Sequence, residues 1–261
     1  MSRISATFSR LRTHGQCALI PYIMAGDPHL SETPRIVMAL EKGGADLIEI
    51  GVPFTDPVAD GPVIQRAAER ALAQGVTLRR VLESVAAIRR TTAIPLILMT
   101  YCNPVWALGL DSFFEAAAAA GLDGLIIPDL TPEEASPYLV LARRHRIEMI
   151  FFIAPTTPIS RARKIAQMAS GFIYYVSLTG TTGAPLTDRQ AVLARMNEIK
   201  SLTDLPLAVG FGISTPEEAR DMATVADGVI VGSALVKIIA EADPLYLSKL
   251  QEAVVAFKGR L

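Results

Sequence analysis

The sequence predicts a (β/α)8 (TIM) barrel formed as a single domain over residues 1–261, with an added N-terminal helix and extra short helices. Three observations carry that expectation. Eight short apolar runs recur along the chain, and none alternates cleanly, as parallel strands buried on both faces require. Helical periodicities separate them, so strand and helix alternate throughout. At 261 residues the chain matches the roughly 250 typical of such barrels, which leaves little for a second domain.

The predicted strands are ALIPYI (18–23), DLIEI (46–50), PLILMT (95–100), GLIIP (124–128), IEMIFF (147–152), FIYYVS (172–177), LPLAVG (205–210) and GVIVG (228–232). An open doubly wound sheet is the competing architecture. It would place a Gly-x-Gly-x-x-Gly turn after the first strand, where PYIMAGDP (21–28) stands instead. Among the helices, Ile4, Phe8 and Leu11 share one face of an N-terminal amphipathic segment. Stripes at Ile36 and Leu40, at Leu78 to Ile88, at Val192, Met196 and Ile199, and over 247–257 mark others. TPEE at 131–134 and again at 215–218 offers a threonine cap, a proline and a glutamate, a helix-start signature; TPIS (157–160) is a weaker version.

Composition narrows the function. With 25 basic and 26 acidic residues and no long run of either sign, no face is expected for nucleic acid or an anionic membrane. Cys17 and Cys102 are far apart and form no metal or redox spacing, which suits a reducing, cytoplasmic setting. No apolar run approaches the length of a membrane span or a signal-peptide core. His14, His29 and His145 are scattered, so no metal site is expected, and the six lysines fall in predicted helices away from strand ends.

If the barrel forms, strand C-termini meet at one mouth, where chemistry collects. Glu49 lies inside the second strand near that end, and a carboxylate there is costly unless it is used or paired. Asp60 follows in a loop stiffened by Pro53 and Pro57; it is either a group aimed into the mouth or the cap of the helix opening at Pro62. Asp56 reads as a turn or surface residue. SLTGTTGAP (177–185), GFGIS (210–214) and GSA (232–234) follow strands six, seven and eight. Their glycines expose backbone amides, and a helix starting at Ser233 would aim its positive end at the same spot, the usual phosphate position in such barrels. Carboxylate acid–base work on a small phosphorylated molecule is the chemistry left.

The motifs PYIMAGDP, EIGVPFTDPVADGPVIQ (49–65), TYCNP (100–104), GLIIPDL (124–130), YYVSLTGTTGA (174–184), VGFGIS (209–214) and VGSALVKII (231–239) run in order along nearly the whole chain. Together they resemble the tryptophan synthase alpha-subunit family. That resemblance implies a lyase that splits indole-3-glycerol phosphate into indole and glyceraldehyde 3-phosphate. It implies Glu49 and Asp60 as the catalytic acids and Tyr174, rather than its neighbour Tyr175, as a positioning residue. It further implies Thr182 as the loop threonine that orders the aspartate. The resemblance implies phosphate contacts at Gly183, Gly212, Gly232 and Ser233, with Phe211 close by. It also implies a beta-subunit partner carrying pyridoxal phosphate in an alpha2-beta2 complex, no cofactor in this chain, and contact with that partner through Pro53 to Asp56. Cys102, where a tyrosine is usual, and Leu178 and Thr181 in the sixth loop depart from the family pattern. Two other readings stay open: a sugar-phosphate isomerase using Glu49 as base, and a non-catalytic activator of a beta-type partner.

Overall fold

The computed structural model describes residues 1–176, 189–210 and 212–261, with backbone alone for 189–191. Eight parallel strands close into a barrel in sequential order. They are β1 Ala18–Met24, β2 Ile48–Gly51, β3 Leu96–Met99, β4 Gly124–Ile126, β5 Glu148–Ile153, β6 Ile173–Val176, β7 Leu207–Gly210 and β8 Gly228–Val231. Every predicted strand is present. All but β5 and β6 are buried at every position, the reason they read as continuous apolar runs.

The helices among the described residues are α1 Arg3–Thr13, α2 Thr33–Lys42, α3 Pro62–Leu72, α4 Leu78–Arg89, α5 Cys102–Leu108 and α6 Leu110–Ala119. They continue with α7 Ser136–His145, α8 Ile159–Met168, α9 Arg189–Lys200, α10 Pro216–Ala223, α11 Ser233–Ala240 and α12 Tyr246–Lys258. The predicted face of α1 is buried: Ile4, Phe8 and Leu11 close the N-terminal end of the barrel. A Cβ at Gly124 would come within 2.9 Å of the Ile4 side chain, and one at Gly228 within 3.3 Å of Phe8, so both strand glycines leave room for this plug.

Two helix starts differ from expectation. TPEE at 131–134 forms a turn, with the Thr131 hydroxyl donating to Glu134 at 2.9 Å, and α7 begins at Ser136. The Thr157 hydroxyl accepts from the Ala154 amide at 3.0 Å, and Pro158 takes the cap position of α8. In both, the threonine finds a nearer partner than the helix amides. At 215–218 the signature is realised as a full capping box: Glu218 N–H donates to Thr215 at 3.2 Å, and the Glu218 carboxylate accepts from the Ser214 and Thr215 amides at 2.7 and 3.1 Å. That box stiffens the turn leaving β7.

The barrel floor carries a fourfold device. Just before each even strand, one residue exchanges two hydrogen bonds with the preceding odd strand. Asp46 does so with Leu19, Asp123 with Leu96, Ser170 with Met149 and Asp227 with Leu207; the side chains accept from those strand amides at 2.8–2.9 Å. The three aspartates are themselves paired, Asp46 with Lys258 at 2.6 Å, Asp123 with Arg89 at 2.6 Å, and Asp227 with Lys200 at 3.1 Å. Asp46 and Asp123 are buried and Asp227 is partly so, and each carboxylate is met by donors, as burial demands. No helix among the described residues is long and apolar enough to cross a membrane.

Candidate active site

At the opposite end, the strand C-termini surround a narrow cleft that opens to solvent. Glu49, Asp60 and Tyr174 line it, together with Gly212, Gly232 and Ser233. Ile64, Met99, Ile213 and Ile230 supply apolar wall. Residues from the second strand and its loop thus share one rim with turns from the last two strands. Thr182, Gly183 and Phe211 lie outside the described residues. Tyr175 is buried on the other side of β6 and does not line the cleft. A wider crevice sits at the barrel floor between α1, α6, α7 and α8; its buried acid, Asp123, is taken by Arg3 and Arg89.

Glu49 registers between Tyr22 of β1 and Ile97 of β3. Its side chain is 1% exposed, and neither carboxylate oxygen has a hydrogen-bond partner among the described residues. Burial, reinforced by the charge of Asp60, pushes its pKa up to about 8. It therefore holds a proton at neutral pH. Asp60 is half-buried, and burial raises its pKa to about 6 while a hydrogen bond from Tyr101 pulls the other way. It is mostly ionised at neutral pH. The two neighbouring acids thus sit in environments that hold them in different protonation states at neutral pH.

Asp60 is not a helix cap: Gly61 caps α3 without a side-chain bond, and the Asp60 carboxylate instead accepts from the Tyr101 hydroxyl at 3.1 Å. The Ala59 amide donates to the same hydroxyl at 3.2 Å, and the Tyr101 ring stacks on Phe54 with centroids 5.1 Å apart. Tyr101 thus ties the loop after β2 to the end of β3. Within that loop Pro53 is buried, contrary to the exposed contact expected of it, because the chain leaving β2 is still inside the barrel rim. Thr55, Asp56 and Val58 are the exposed residues there.

Tyr174 edges onto Phe152, centroids 4.6 Å apart, and its ring lies over Gly210, where a Cβ would come within 2.7 Å of it. Gly212 has φ +83, a left-handed conformation that favours glycine. Gly232 caps α11 without a side-chain bond, so the first amides of that helix face the cleft unclaimed by a cap. Tyr22 and Tyr101 were missed in the sequence. PYIMAGDP and TYCNP contain them at strand ends, but an apolar run does not reveal which tyrosine turns inward. Among the described residues no group of three or more His, Cys, Asp or Glu gathers as metal ligands.

Residues 8–259 match the family model described as tryptophan synthase alpha chain. The chain belongs to that family. It is 50% identical over 241 residues to the tryptophan synthase alpha chain of Geotalea uraniireducens, covering 92% of this chain and 90% of that one. It is 48% identical to the alpha chain of Geotalea daltonii, covering 99% and 98%. The crystal structure of tryptophan synthase subunit alpha from Legionella pneumophila superposes with a TM-score of 0.92 at 40% identity, covering 100% of this chain and 98% of that one. As a family member the chain is a lyase that cleaves indole-3-glycerol phosphate to indole and glyceraldehyde 3-phosphate.

Proposed function

We propose that Glu49 and Asp60 perform this cleavage as an acid–anion pair, in a chain acting as one barrel domain. Protonated Glu49 gives its proton to C3 of the indole ring, and the ring nitrogen becomes the electron sink. The resulting glutamate takes the proton of the chain hydroxyl on the carbon joined to C3. The carbon–carbon bond then breaks, its electrons return to the ring, and the hydroxyl-bearing carbon leaves as the aldehyde. Glu49 ends protonated, as it began. Asp60 accepts the indole N–H and stabilises the positive charge that develops there, an effect strengthened in a water-poor cleft. Tyr174 packs beside Glu49. The amides around Gly183, Gly212, Gly232 and Ser233 hold the phosphate at the start of α11.

One observation carries the reading: a buried glutamate with no hydrogen-bond partner among the described residues, within electrostatic reach of Asp60 in the same cleft. A protein that only binds does not require both acids. The test is indole release from indole-3-glycerol phosphate by the wild-type chain and by Glu49→Gln and Asp60→Asn. Turnover in the wild type and severe loss in both variants are expected. Turnover of an unrelated sugar phosphate instead, or near-normal rates in the variants, would overturn the assignment.

The same reading extends to a cytoplasmic alpha2-beta2 complex, with pyridoxal phosphate on the beta chain. The partner face includes Asp56. Exposed Val58 and Trp106, rising from the segments after β2 and β3 at the mouth end, support an apolar contact there. Trp106 is the only tryptophan in the chain, so its emission reports whether a beta chain covers this face.

A further inference from the structure

Tyr22 spans the wall between the two polar halves of the cleft. It registers with Glu49 across the β1–β2 pair, so both side chains leave the sheet on the same side. At its root, a Cβ on Gly232 would touch the Tyr22 Cβ at 3.4 Å and Cδ1 at 3.5 Å. At its tip, a Cβ on Gly51 would overlap the hydroxyl and stand 2.7 Å from Cζ. The ring therefore runs from the turn after β8 to the end of β2, two positions past Glu49.

The residue is 6% exposed, and its hydroxyl has no hydrogen-bond partner among the described residues. Nor is that oxygen among the sealed polar atoms, unlike the Tyr175 hydroxyl, so it opens onto the cleft. The ring is walled in and its oxygen alone meets the cleft, where phenylalanine would cover the same wall equally well. The hydroxyl is explained if a ligand completes it.

We propose that Tyr22 is a specificity residue whose hydroxyl hydrogen-bonds the hydroxylated three-carbon chain of the substrate. This rests on the reading of the acids and glycine turns given above: with phosphate on the turns and indole at the acids, the connecting chain must lie along this ring. The phenol then distinguishes a polyol chain from a plain alkyl one, because an alkyl chain leaves the hydroxyl buried and unpaired.

The test compares wild type with Tyr22→Phe, a beta chain being present. Two quantities are measured: kcat/KM for indole-3-glycerol phosphate, and the inhibition constant of 3-indolylpropyl phosphate, which carries no chain hydroxyl. Loss of one neutral hydrogen bond lowers kcat/KM about fivefold to tenfold, while the inhibition constant stays level or falls, because phenylalanine leaves no hydroxyl for the alkyl chain to strand. Equal weakening toward both ligands would mean a packing role and overturn the proposal. Unchanged kcat/KM would overturn it as well. Failure of the wild-type chain to bind the propyl analogue or cleave the substrate would remove the underlying site, and Tyr22 with it.

Discussion

Replacing Glu49 by glutamine should make the protein more stable in a way that depends on pH. The carboxyl is 1% exposed and its pKa is raised from 4.5 to about 8, chiefly by burial. Between those values the native state keeps a proton that the unfolded chain has already released. Stability of the wild type must then fall as pH rises through the window, by up to about 1.4 kcal/mol per pH unit. Below the unfolded value both states are protonated and the effect vanishes; above the native value it levels off. Glutamine does not titrate. Whatever its amide costs in that pocket is constant with pH, so the difference between the two proteins isolates the ionisation. From about pH 5 to about pH 8 the variant should gain on the order of 3–4 kcal/mol relative to wild type. Urea denaturation followed by circular dichroism at several pH values measures this directly. A stability difference that is flat across the range would show that Glu49 ionises as an ordinary surface acid, and the proton-donor role would lose its basis.

Three further outcomes follow from the geometry. Tyr101→Phe removes the hydrogen bond that lowers the Asp60 pKa, so the acidic limb of the kcat/KM profile should move up from about 6. The rate should fall about threefold to tenfold near pH 6 and much less near pH 8; a uniform fall would exclude action through Asp60. Gly212→Asp and Gly212→Ala share the strain of φ +83, so a KM for the phosphorylated substrate at least about tenfold higher in the aspartate variant isolates charge repulsion. Equal KM values would put the phosphate elsewhere. Arg70 forks onto Asp27 at 2.7 and 2.8 Å, tying α3 to the turn after β1, and Asp27 is 1% exposed. Arg70→Met should destabilise by about 3 kcal/mol in urea titrations, because it strands a buried charge; a change below about 0.5 kcal/mol would mean that Asp27 finds water.

The strands were legible because burial on both faces leaves an unmistakable run of apolar residues, as at Leu96–Met99. Glu49 was legible for the complementary reason: a carboxylate between Ile48 and Ile50 has no cheap explanation. Helix starts were harder. Two identical TPEE tetrapeptides diverge, one a full capping box at Thr215 and the other a turn at Thr131, because the choice depends on where the following helix docks. Burial of Pro53 could not be read from a loop-like composition. Tyr22 and Tyr101 escaped because strand tyrosines serve equally as core; only the overhang at Gly51 and the tie to Asp60 separate them from Tyr175. Orientation around a closed barrel is a tertiary property with little trace in local sequence.

The two ends of the barrel treat the same side chain in opposite ways, and that contrast argues for function at the mouth. Asp46, Asp123 and Asp227 on the floor each accept a strand amide and pair with at least one cation. A fold able to satisfy three such acids could satisfy a fourth. Glu49 nevertheless has no donor among the described residues, and its nearest electrostatic influence is another acid. Structural demand alone would replace it by an apolar residue, since a neutral wall of similar volume avoids the desolvation cost. Retaining an acid there costs stability throughout the neutral pH range. That cost fits the role proposed for Glu49, a carboxyl whose proton a substrate draws on.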